Sequence, residues 1–346
     1  MANPTIDDVA RAAGVSVSTV SRILNNKPDV AESTRLRVLR VIEELGYTPD
    51  ARAQGLAAGR SRAISLLYPI ENIGLTQLEL DFFIGAASAA GEADFFFNLI
   101  TQPVTKSRLL SLYRGAQIDG LVLMQIALHD WRVQLLREHN YPFVMIGRCD
   151  DNTGLHYIDL DFEGAVVTAF DYLVGQGHRH IGLITYAPSW REQGFGPAVR
   201  VLRGHERACQ MHGLVSPYRE VSVATLEAYK ATLDLMETHP DLTAFFAVDG
   251  VTAIGVTKAL RRKGRSVPED ASVVAITTEK VAQLMSPPLT SINFPTLHMG
   301  HWAVQALISL LRGEAVEPDQ VVLPAELIVR ESTGPARHVT ATAARR

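Results

Sequence analysis

The sequence predicts a small all-α amino-terminal domain, a short connecting helix and a larger two-lobed α/β core. Three short amphipathic helical patterns occupy the first 46 residues, an Ala- and Gly-rich stretch follows, and the remainder alternates strand-like and helical segments. The chain has 346 residues, which is more than one domain usually holds, and 47% of them are hydrophobic, enough for substantial cores. A largely disordered chain is therefore excluded.

The first two helices are predicted from their caps and spacing. Thr5 and Asp8 have the capping-box pattern at the start of the first helix. Gly14 allows a sharp turn, and Ser16 is suited to cap a second helix over residues 17–24. Two helices joined by such a turn are typical of the helix-turn-helix motif, whose second helix lies in the major groove of DNA. The alternative is a generic three-helix bundle in which the hydroxyl groups only cap helices.

Side chains of these helices divide into an inward and an outward set. The third helix is expected from about Ser33 to Leu45 and should end at Gly46. The side chains expected to be buried are Ile6, Val9, Ala10, Ala13, Val15, Val20, Ile23, Leu24, Val38, Leu39, Ile42 and Leu45. The outward face of the second helix carries Val17, Ser18, Ser21 and Arg22. Side chains suited to phosphate contacts are Thr5, Thr19, Ser21 and Asn25.

The amino-terminal segment resembles the head of the LacI/GalR (lactose/galactose repressor) family of transcriptional regulators. The resemblance is carried by Thr-Ile-Asp-Asp-Val-Ala-Arg-Ala-Ala-Gly-Val-Ser-Val-Ser-Thr-Val-Ser-Arg-Ile-Leu-Asn over residues 5–25, and by residues 42–49. It implies that the second helix, with Ser16 at its start, reads half of a near-palindromic operator, with most base specificity supplied by Val17, Ser18 and Arg22. It also implies a homodimer, because such operators are read by two copies.

Residues 49–61 resemble the hinge helix of that family. Isolated helices below about 12–15 residues are marginal in water, and Gly55 weakens this one further. We therefore expect the segment to be disordered off DNA and helical when paired with its copy in a dimer. Ala53 is small enough for close approach, and Leu56 would act as an apolar wedge in the minor groove. The alternative is an Ala/Gly linker that makes no DNA contact.

Residues 62–334 are expected to form the α/β core, with residues 1–48 as the headpiece and a disordered tail over residues 335–346. Near-continuous apolar strands that alternate with helices predict parallel sheets, with a ligand cleft at the carboxyl ends of the strands. The resemblance implies a periplasmic-binding-protein-like (type I) core in which the chain crosses between lobes near residues 160, 290 and 323. The lobes are then about 62–160 with 292–322, and 161–290 with 323–334.

The cleft is where the sequence departs from the family it resembles. Sugar-binding members usually hold hydroxyl groups with Asp, Arg and Asn, and those positions are occupied here by Val201, Val248, Thr277, Gly147 and Phe294. Either other side chains supply the hydrogen bonds, or the ligand is less polar than a free monosaccharide. The candidate ligand contacts are Glu79, Gln125, Arg148, Asp159, Trp190, Arg200, Asp249, Thr277 and Phe294. Surface or helix-cap roles are the alternative for each.

Other functional classes find little support in the sequence. No apolar run approaches the about 18–20 residues that span a bilayer, and no export signal is expected. Cys149 and Cys209 are the only cysteines, which fits a reducing cytoplasm. Because DNA binding is expected, we expect the protein to be associated with the nucleoid. His178 and His180 have no neighbouring Cys or carboxylate cluster, so structural roles are favoured over a metal site. No catalytic or cofactor-binding motif is present, so neither an enzyme nor a cofactor is expected.

The charge is distributed unevenly along the chain. Residues 1–62 carry nine Lys/Arg against seven Asp/Glu, whereas the remainder carries 24 against 30. A basic head on an acidic body indicates that only the head meets a polyanion. We therefore expect a ligand-responsive homodimeric repressor whose partners are double-stranded operator DNA, a small molecule of carbohydrate type and a second copy of the chain. The alternative is a solute-binding protein or an α/β sugar enzyme without a DNA role.

Overall fold

The computed structural model describes residues 4–24, 28–47, 61–69 and 77–337. Two compact units are present, with the division between Arg62 and Ala63. The first is all-α and the second contains two six-stranded α/β sheets, so the predicted fold class is confirmed for the described residues. Most of the predicted hinge, residues 49–61, and most of the predicted tail, residues 335–346, lie outside the described residues.

Three helices pack around a small apolar core in the headpiece. They are α1 (Ile6–Ala13), α2 (Val17–Leu24) and α3 (Glu32–Leu45). The buried core consists of Val9, Ala10, Ala13, Val20, Ile23 and Val38. The prediction that Leu39 and Leu45 are buried is wrong, because 45% and 39% of their surfaces are exposed. Leu39 follows the buried Val38 and is therefore rotated by about 100° around the helix axis, away from the face that packs. Leu45 is the last residue of α3, which is six residues longer than α1 and α2.

Local hydrogen bonds explain where the first two helices begin. The Thr5 hydroxyl accepts from the Asp8 amide at 3.3 Å while the Asp8 carboxylate accepts from the Thr5 amide at 2.9 Å, which is the predicted capping box. At the start of α2, Ser16 Oγ accepts from the Thr19 amide at 3.2 Å. The N-cap of α3 is Ala31, whose side chain can accept no hydrogen bond. The third helix therefore begins without the side-chain cap that the other two have.

The first sheet of the core, with strand order β11-β5-β4-β3-β1-β2, is parallel throughout. Its strands are β1 (Ala63–Leu67), β2 (Phe96–Ile100), β3 (Gly120–Leu123), β4 (Phe143–Ile146), β5 (Tyr157–Leu160) and β11 (Gln320–Leu323). The helices packed with this sheet are α4 (Gln77–Glu92), α5 (Lys106–Arg114), α6 (Trp131–Glu138) and α13 (Thr296–Arg312). These elements are called the N-lobe.

The second sheet has the order β12-β10-β9-β8-β6-β7 and is parallel except for its edge strand β12. Its strands are β6 (Ile181–Tyr186), β7 (Tyr218–Val221), β8 (Ala244–Ala247), β9 (Ser272–Thr277), β10 (Thr290–Asn293) and β12 (Leu327–Ile328). The accompanying helices are α7 (Phe162–Gly175), α8 (Pro188–Glu192), α9 (Gly196–His212), α10 (Thr225–Thr238), α11 (Gly250–Arg262) and α12 (Glu279–Leu284). These elements are called the C-lobe.

The chain passes between the two lobes three times. The passages follow β5, β10 and β11, at residues 161, 294–295 and 324–326. The second and third fall a few residues beyond the positions near 290 and 323 expected from the sequence. In particular β10 belongs to the second sheet, although its last two residues were assigned to the amino-terminal lobe.

Helices α4 and α13 approach each other closely in the N-lobe. A Cβ atom at Gly85 of α4 would overlap the carbonyl oxygen of Leu297, and one at Gly300 of α13 would overlap the carbonyl oxygen of Phe82. Glycine at these two positions therefore lets the two backbones touch, and any larger residue would push the helices apart.

Candidate functional site

The outward face of α2 presents a compact polar surface. Val17, Ser18 and Arg22 are exposed, and Thr19 and Ser21 are half-buried. Thr5 and Ser16, at the starts of α1 and α2, are also exposed. The other residues proposed from the sequence to contact DNA, Asn25, Ala53 and Leu56, lie outside the described residues.

Hydrogen bonds order the amino-terminal end of this face. Ser16 Oγ lies 2.8 Å from both Ser18 Oγ and Thr19 Oγ1, so the three hydroxyl groups form one small network. Arg22 Nη2 lies 2.9 Å from Asp29 Oδ2, with 61% and 47% of the two side chains exposed. A surface ion pair of this kind contributes little stability, so Arg22 can leave Asp29 for a base edge at small cost.

A cavity of about 320 Å³ lies inside the core, lined by residues of both lobes. Residues at or just after the carboxyl ends of parallel strands form much of the wall, as is usual for ligand sites in such sheets. The N-lobe contributes Tyr68, Leu78, Glu79, Phe82, Met124, Gln125, Ile126, Ile146, Gly147, Asp159, Phe294 and Met299, counting the passage residue Phe294. The C-lobe contributes Phe162, Tyr186, Trp190, Phe195, Pro197, Val223, Val248, Asp249, Gly250, Val251, Ile254, Thr277 and Val281.

Seven of the nine ligand contacts proposed from the sequence line this cavity. They are Glu79, Gln125, Asp159, Trp190, Asp249, Thr277 and Phe294. The Tyr68 hydroxyl donates to Glu79 Oε1 at 3.3 Å. Asp249 caps α11, its Oδ1 accepting from the Thr252 amide at 2.7 Å. Burial raises the pKa of Asp249 to about 6 against the opposing effect of the hydrogen bonds from Thr252.

Arg148 and Arg200 do not line the cavity, which corrects their placement there. Both point instead at Asp159 from behind the wall, with Arg148 Nε at 3.2 Å and Arg200 Nη1 at 3.7 Å from Asp159 Oδ2. Burial raises the pKa of Asp159 despite the opposing charges of these two arginines.

Beside Trp190, the aromatic side chains of Tyr68, Tyr186 and Phe195 form a part of the cavity wall that the sequence interpretation missed. Trp190, on the five-residue helix α8, packs on Phe195 with ring centroids 4.5 Å apart, and Tyr186 lies 5.6 Å from Phe195 in an edge-to-face contact. Tyr68 lies on the opposite side of the cleft, in the N-lobe. Tyr68 directly follows β1 and Tyr186 ends β6, so an aromatic residue at the carboxyl end of a strand was the available signal.

A short backbone bridge joins the two lobes beside the cavity. The Leu128 amide donates to the Gly194 carbonyl at 2.8 Å, and the Gly196 amide donates to the Ile126 carbonyl at 3.0 Å. This antiparallel bridge pairs the segment after β3 with the segment before α9. It holds two walls of the cavity together through the main chain.

The histidines singled out in the sequence have structural partners. His178 Nδ1 lies 2.9 Å from Thr243 Oγ1, and its Nε2 lies 2.9 Å from Ser272 Oγ. His180 pairs with Asp241 at 2.7 Å. Among the described residues no group of His, Cys, Asp and Glu is arranged to hold a metal ion, and both cysteines are free thiols. Within those same ranges no helix has both the length and the apolar character to cross a membrane.

Comparison with known proteins identifies the family. The family model "Bacterial regulatory proteins, lacI family" matches residues 5–50, and "Periplasmic binding protein-like domain" matches residues 170–333. The HTH-type transcriptional regulator CelR of Thermobifida fusca is 33% identical over 340 residues, which covers 95% of this chain and 98% of that protein. The chain belongs to the LacI family. Catabolite control protein A of Priestia megaterium is a second relative, 29% identical over 346 residues, covering 96% of this chain and 99% of that protein.

Solved structures support the LacI-family assignment. The complex of the transcriptional regulator CelR with cellobiose has a TM-score of 0.67 and 31% identity, covering 95% of this chain and 99% of that one. The lac repressor dimer bound to operator and the anti-inducer ONPF has a TM-score of 0.84 at 24% identity, covering 96% and 100%, which shows the shared fold. The family predicted from the headpiece is thus confirmed. This LacI-family chain is a DNA-binding transcriptional regulator and not an enzyme.

Proposed function

We propose that the protein is a repressor that binds a near-palindromic operator as a homodimer, with its affinity controlled by a small carbohydrate in the core cavity. The observation that carries the proposal is that one chain holds both an exposed Ser/Val/Arg face on α2 and a cavity walled by two lobes. Two solved relatives support it, since one is a regulator in complex with cellobiose and another is a dimer bound to operator.

The proposed contacts with DNA follow from the face of α2. Val17, Ser18 and Arg22 would reach base edges, while Thr5, Ser16, Thr19, Ser21 and Asn25 would position the headpiece on phosphates. Residues 49–61 are proposed as the hinge, with Ala53 at the contact between copies and Leu56 as the minor-groove wedge. Operator binding would place the protein at the nucleoid.

The cavity supplies the proposed control because its wall comes from both lobes. A ligand that contacts Glu79 in one lobe and Asp249 in the other binds best at one separation of the lobes. It therefore shifts the lobe equilibrium by the difference between its affinities for the two arrangements, and by no more than that. The headpieces of a dimer are attached to the start of β1, so a change in lobe arrangement would alter the spacing of the two hinges.

Binding of the full chain to a short palindromic duplex tests the DNA part of this proposal. Because Lys and Arg contacts with phosphates release counterions, log affinity should fall steeply with log salt concentration. A chain that starts at Arg62 lacks the headpiece and should not bind the duplex. Equal retention by both proteins would reject the proposed role of the headpiece.

A thermal-shift screen of mono- and disaccharides and glycosides tests the effector part. A true effector at about 100 times its Kd should stabilise the core by about 2.7 kcal/mol. It should also change the affinity of the full chain for the duplex. A ligand that stabilises the core and leaves DNA affinity unchanged would contradict control through the cavity.

A further inference from the structure

Gln125 has an unusual backbone conformation in the wall of the cavity. Its φ angle is +53°, which lies in the left-handed region that residues other than glycine rarely adopt. Among the described non-glycine residues with a positive φ, it is the one that lines the cavity. Such a conformation is unfavourable by itself and persists only where neighbouring contacts hold it, which occurs most often at functional sites.

The Arg132 side chain supplies such contacts. It is buried, and its Nη2 donates to the Met124 carbonyl at 3.0 Å and to the Gln125 carbonyl at 2.9 Å. These two carbonyls belong to the peptide groups on either side of the Gln125 Cα atom. In an extended strand successive carbonyls point in opposite directions, so one nitrogen could not reach both. The two hydrogen bonds therefore exclude the extended conformation at Gln125.

Asp130 holds the guanidinium group of Arg132 in place. Asp130 Oδ1 accepts from Arg132 Nε at 2.9 Å and Asp130 Oδ2 accepts from Arg132 Nη2 at 2.6 Å, so the pair is bidentate. The same Oδ2 accepts from the Ala127 amide at 3.2 Å. Both side chains of the pair are buried. Together they fix the main chain directly before and after Gln125.

The C-lobe holds the same segment from the other side. The backbone bridge described above joins residues 126–128 to residues 194–196. Asp130 and Arg132, at the start of α6 in the N-lobe, therefore fix Gln125 within a segment that contacts both lobes. The place of the Gln125 side chain in the cavity is thus set by contacts outside the cavity.

Capping of α6 does not explain the arginine side chain. Asp130 caps this helix by accepting from the Arg132 amide at 2.9 Å, and any residue except proline at position 132 could donate that hydrogen bond. A buried ion pair contributes little net stability compared with apolar side chains of similar volume. The arginine is better explained by the conformation that it imposes on Gln125.

We propose that Arg132 and Asp130 are positioning residues of the effector site, which hold Gln125 so that its side-chain amide meets a hydroxyl group of a carbohydrate effector. The proposal rests on the proposed function, since it takes the cavity as the effector site. An amide group both donates and accepts, so it suits a hydroxyl group, which does the same. A change of Gln125 to the extended conformation would redirect its side chain and remove this contact.

A double-mutant cycle on carbohydrate affinity tests the proposal. Calorimetry with the full chain and cellobiose compares Gln125→Ala, Arg132→Met and the double variant. Each single change should weaken cellobiose binding about tenfold, because each removes the same hydrogen bond. The double variant should then bind within about twofold of the single variants, since Arg132 acts through Gln125. Losses that multiply to about a hundredfold, or no loss in Arg132→Met, would overturn the proposal.

Two further variants separate positioning from a general effect on folding. Arg137→Met is the matched control on α6, because 45% of the Arg137 side chain is exposed, and it should change cellobiose affinity by less than about twofold. A loss equal to that in Arg132→Met would overturn the assignment. Arg132→Lys keeps the charge beside Asp130 but lacks the planar fork, and it carries the same cycle if Arg132→Met does not fold.

A crystal structure of Arg132→Lys without ligand tests the backbone directly. We expect Gln125 to leave the left-handed region or its side chain to leave its place in the cavity. Retention of both in that variant would overturn the role of Arg132.

Failure of the probe is also decisive. If the wild-type chain binds neither cellobiose nor maltose at about 10 mM, the assignment of Gln125 to a carbohydrate hydroxyl group is overturned. Failure of the proposed function has a separate readout, because the full chain would then not bind the palindromic duplex.

Discussion

Arg200 Nη1 lies 3.7 Å from Asp159 Oδ2, and this contact joins the two lobes of the core behind the wall of the cavity. Arg200 is on α9 of the C-lobe, and Asp159 is on β5 of the N-lobe. Arg200 Nη2 also donates to the carbonyl of Arg148 at 3.0 Å, again across the lobe boundary. Both side chains of the ion pair are almost completely buried.

Arg200→Met should therefore destabilise the core. It removes a buried cation and its bonds to N-lobe carbonyls, and it leaves Asp159 paired with Arg148 alone. Because breaking a buried pair strands a charge, we expect a loss of about 2–3 kcal/mol in urea unfolding. Arg203→Met is the control on the same helix, since Arg203 is exposed, and should change stability by less than about 0.5 kcal/mol. Similar losses in the two variants would argue against the ion pair.

Asp249→Asn should change how stability depends on pH. Burial raises the pKa of Asp249 from 3.8 to about 6, so between these values the folded chain binds more protons than the unfolded one. Its contribution to stability is then present at low pH and is lost as pH rises through about 6. Asn keeps the cap of α11 and has no charge to bury. The variant should gain on the order of 2 kcal/mol relative to wild type between pH 4 and pH 7.

Urea unfolding of both proteins across that range measures this difference. Asp159 has a pKa raised in the same direction, but it is present in both proteins and cancels from the comparison. Parallel curves for wild type and Asp249→Asn would show that Asp249 is not the titrating group.

Ala31→Ser should stabilise the headpiece. Ala31 is the N-cap of α3 and makes no side-chain hydrogen bond, whereas Ser can accept one from a first-turn amide. We expect a gain of about 1 kcal/mol, seen as slower hydrogen exchange of the first-turn amides of α3 in the full chain. Ala12→Ser, on the exposed side of α1, introduces the same residue inside a helix and should cost about 0.5 kcal/mol. Faster exchange in Ala31→Ser would contradict the prediction.

Arg22→Ala and Thr19→Ala should affect DNA binding in different ways. Arg22 is exposed on α2 and can reach a base edge, so its loss should relax preference at one base pair by about 1–3 kcal/mol. Thr19, at the start of the helix, is suited to a phosphate, so its loss should weaken binding to all sequences alike. Selection of bound duplexes from a randomised pool, followed by competition titration, distinguishes the two patterns. The same sequence preference in Arg22→Ala and wild type would refute the assignment.

Leu56→Ala tests the proposed hinge. Loss of an apolar wedge should weaken binding to the operator by about 1–3 kcal/mol while leaving ligand affinity in the core unchanged. Titrations of duplex and of ligand with the same preparation measure both quantities. Parallel loss of the two would indicate a folding defect in place of a lost DNA contact.

The features predictable from the sequence are those that depend on neighbours along the chain. The capping box of Thr5 and Asp8, the cap at Ser16 and the turn at Gly14 follow from residues within one helical turn. Alternation of apolar strands and helices likewise indicates the two parallel sheets, because a strand buried on both faces must be apolar along its length. The resemblance of the headpiece then indicates how these parts are arranged.

Features set by distant contacts were harder to predict. Arg200 was expected in the cleft from the sequence, and only the tertiary structure shows that it meets Asp159 instead. Leu39 has the right residue type for a core, but it lies off the face of α3 that packs. The aromatic wall joins Tyr186 to Phe195 through a turn that strand and helix periodicity do not describe.

The contact of α4 with α13 at Gly85 and Gly300 bears on how ligand binding would act on the N-lobe, since Glu79 lies in the first turn of α4. Because the two backbones are in contact at these glycines, a small displacement of α4 would be passed to α13 through main-chain contacts. We therefore expect a bound molecule that displaces Glu79 to move both helices together. Contact of a ligand with one side chain would in this way act on two helices of the N-lobe.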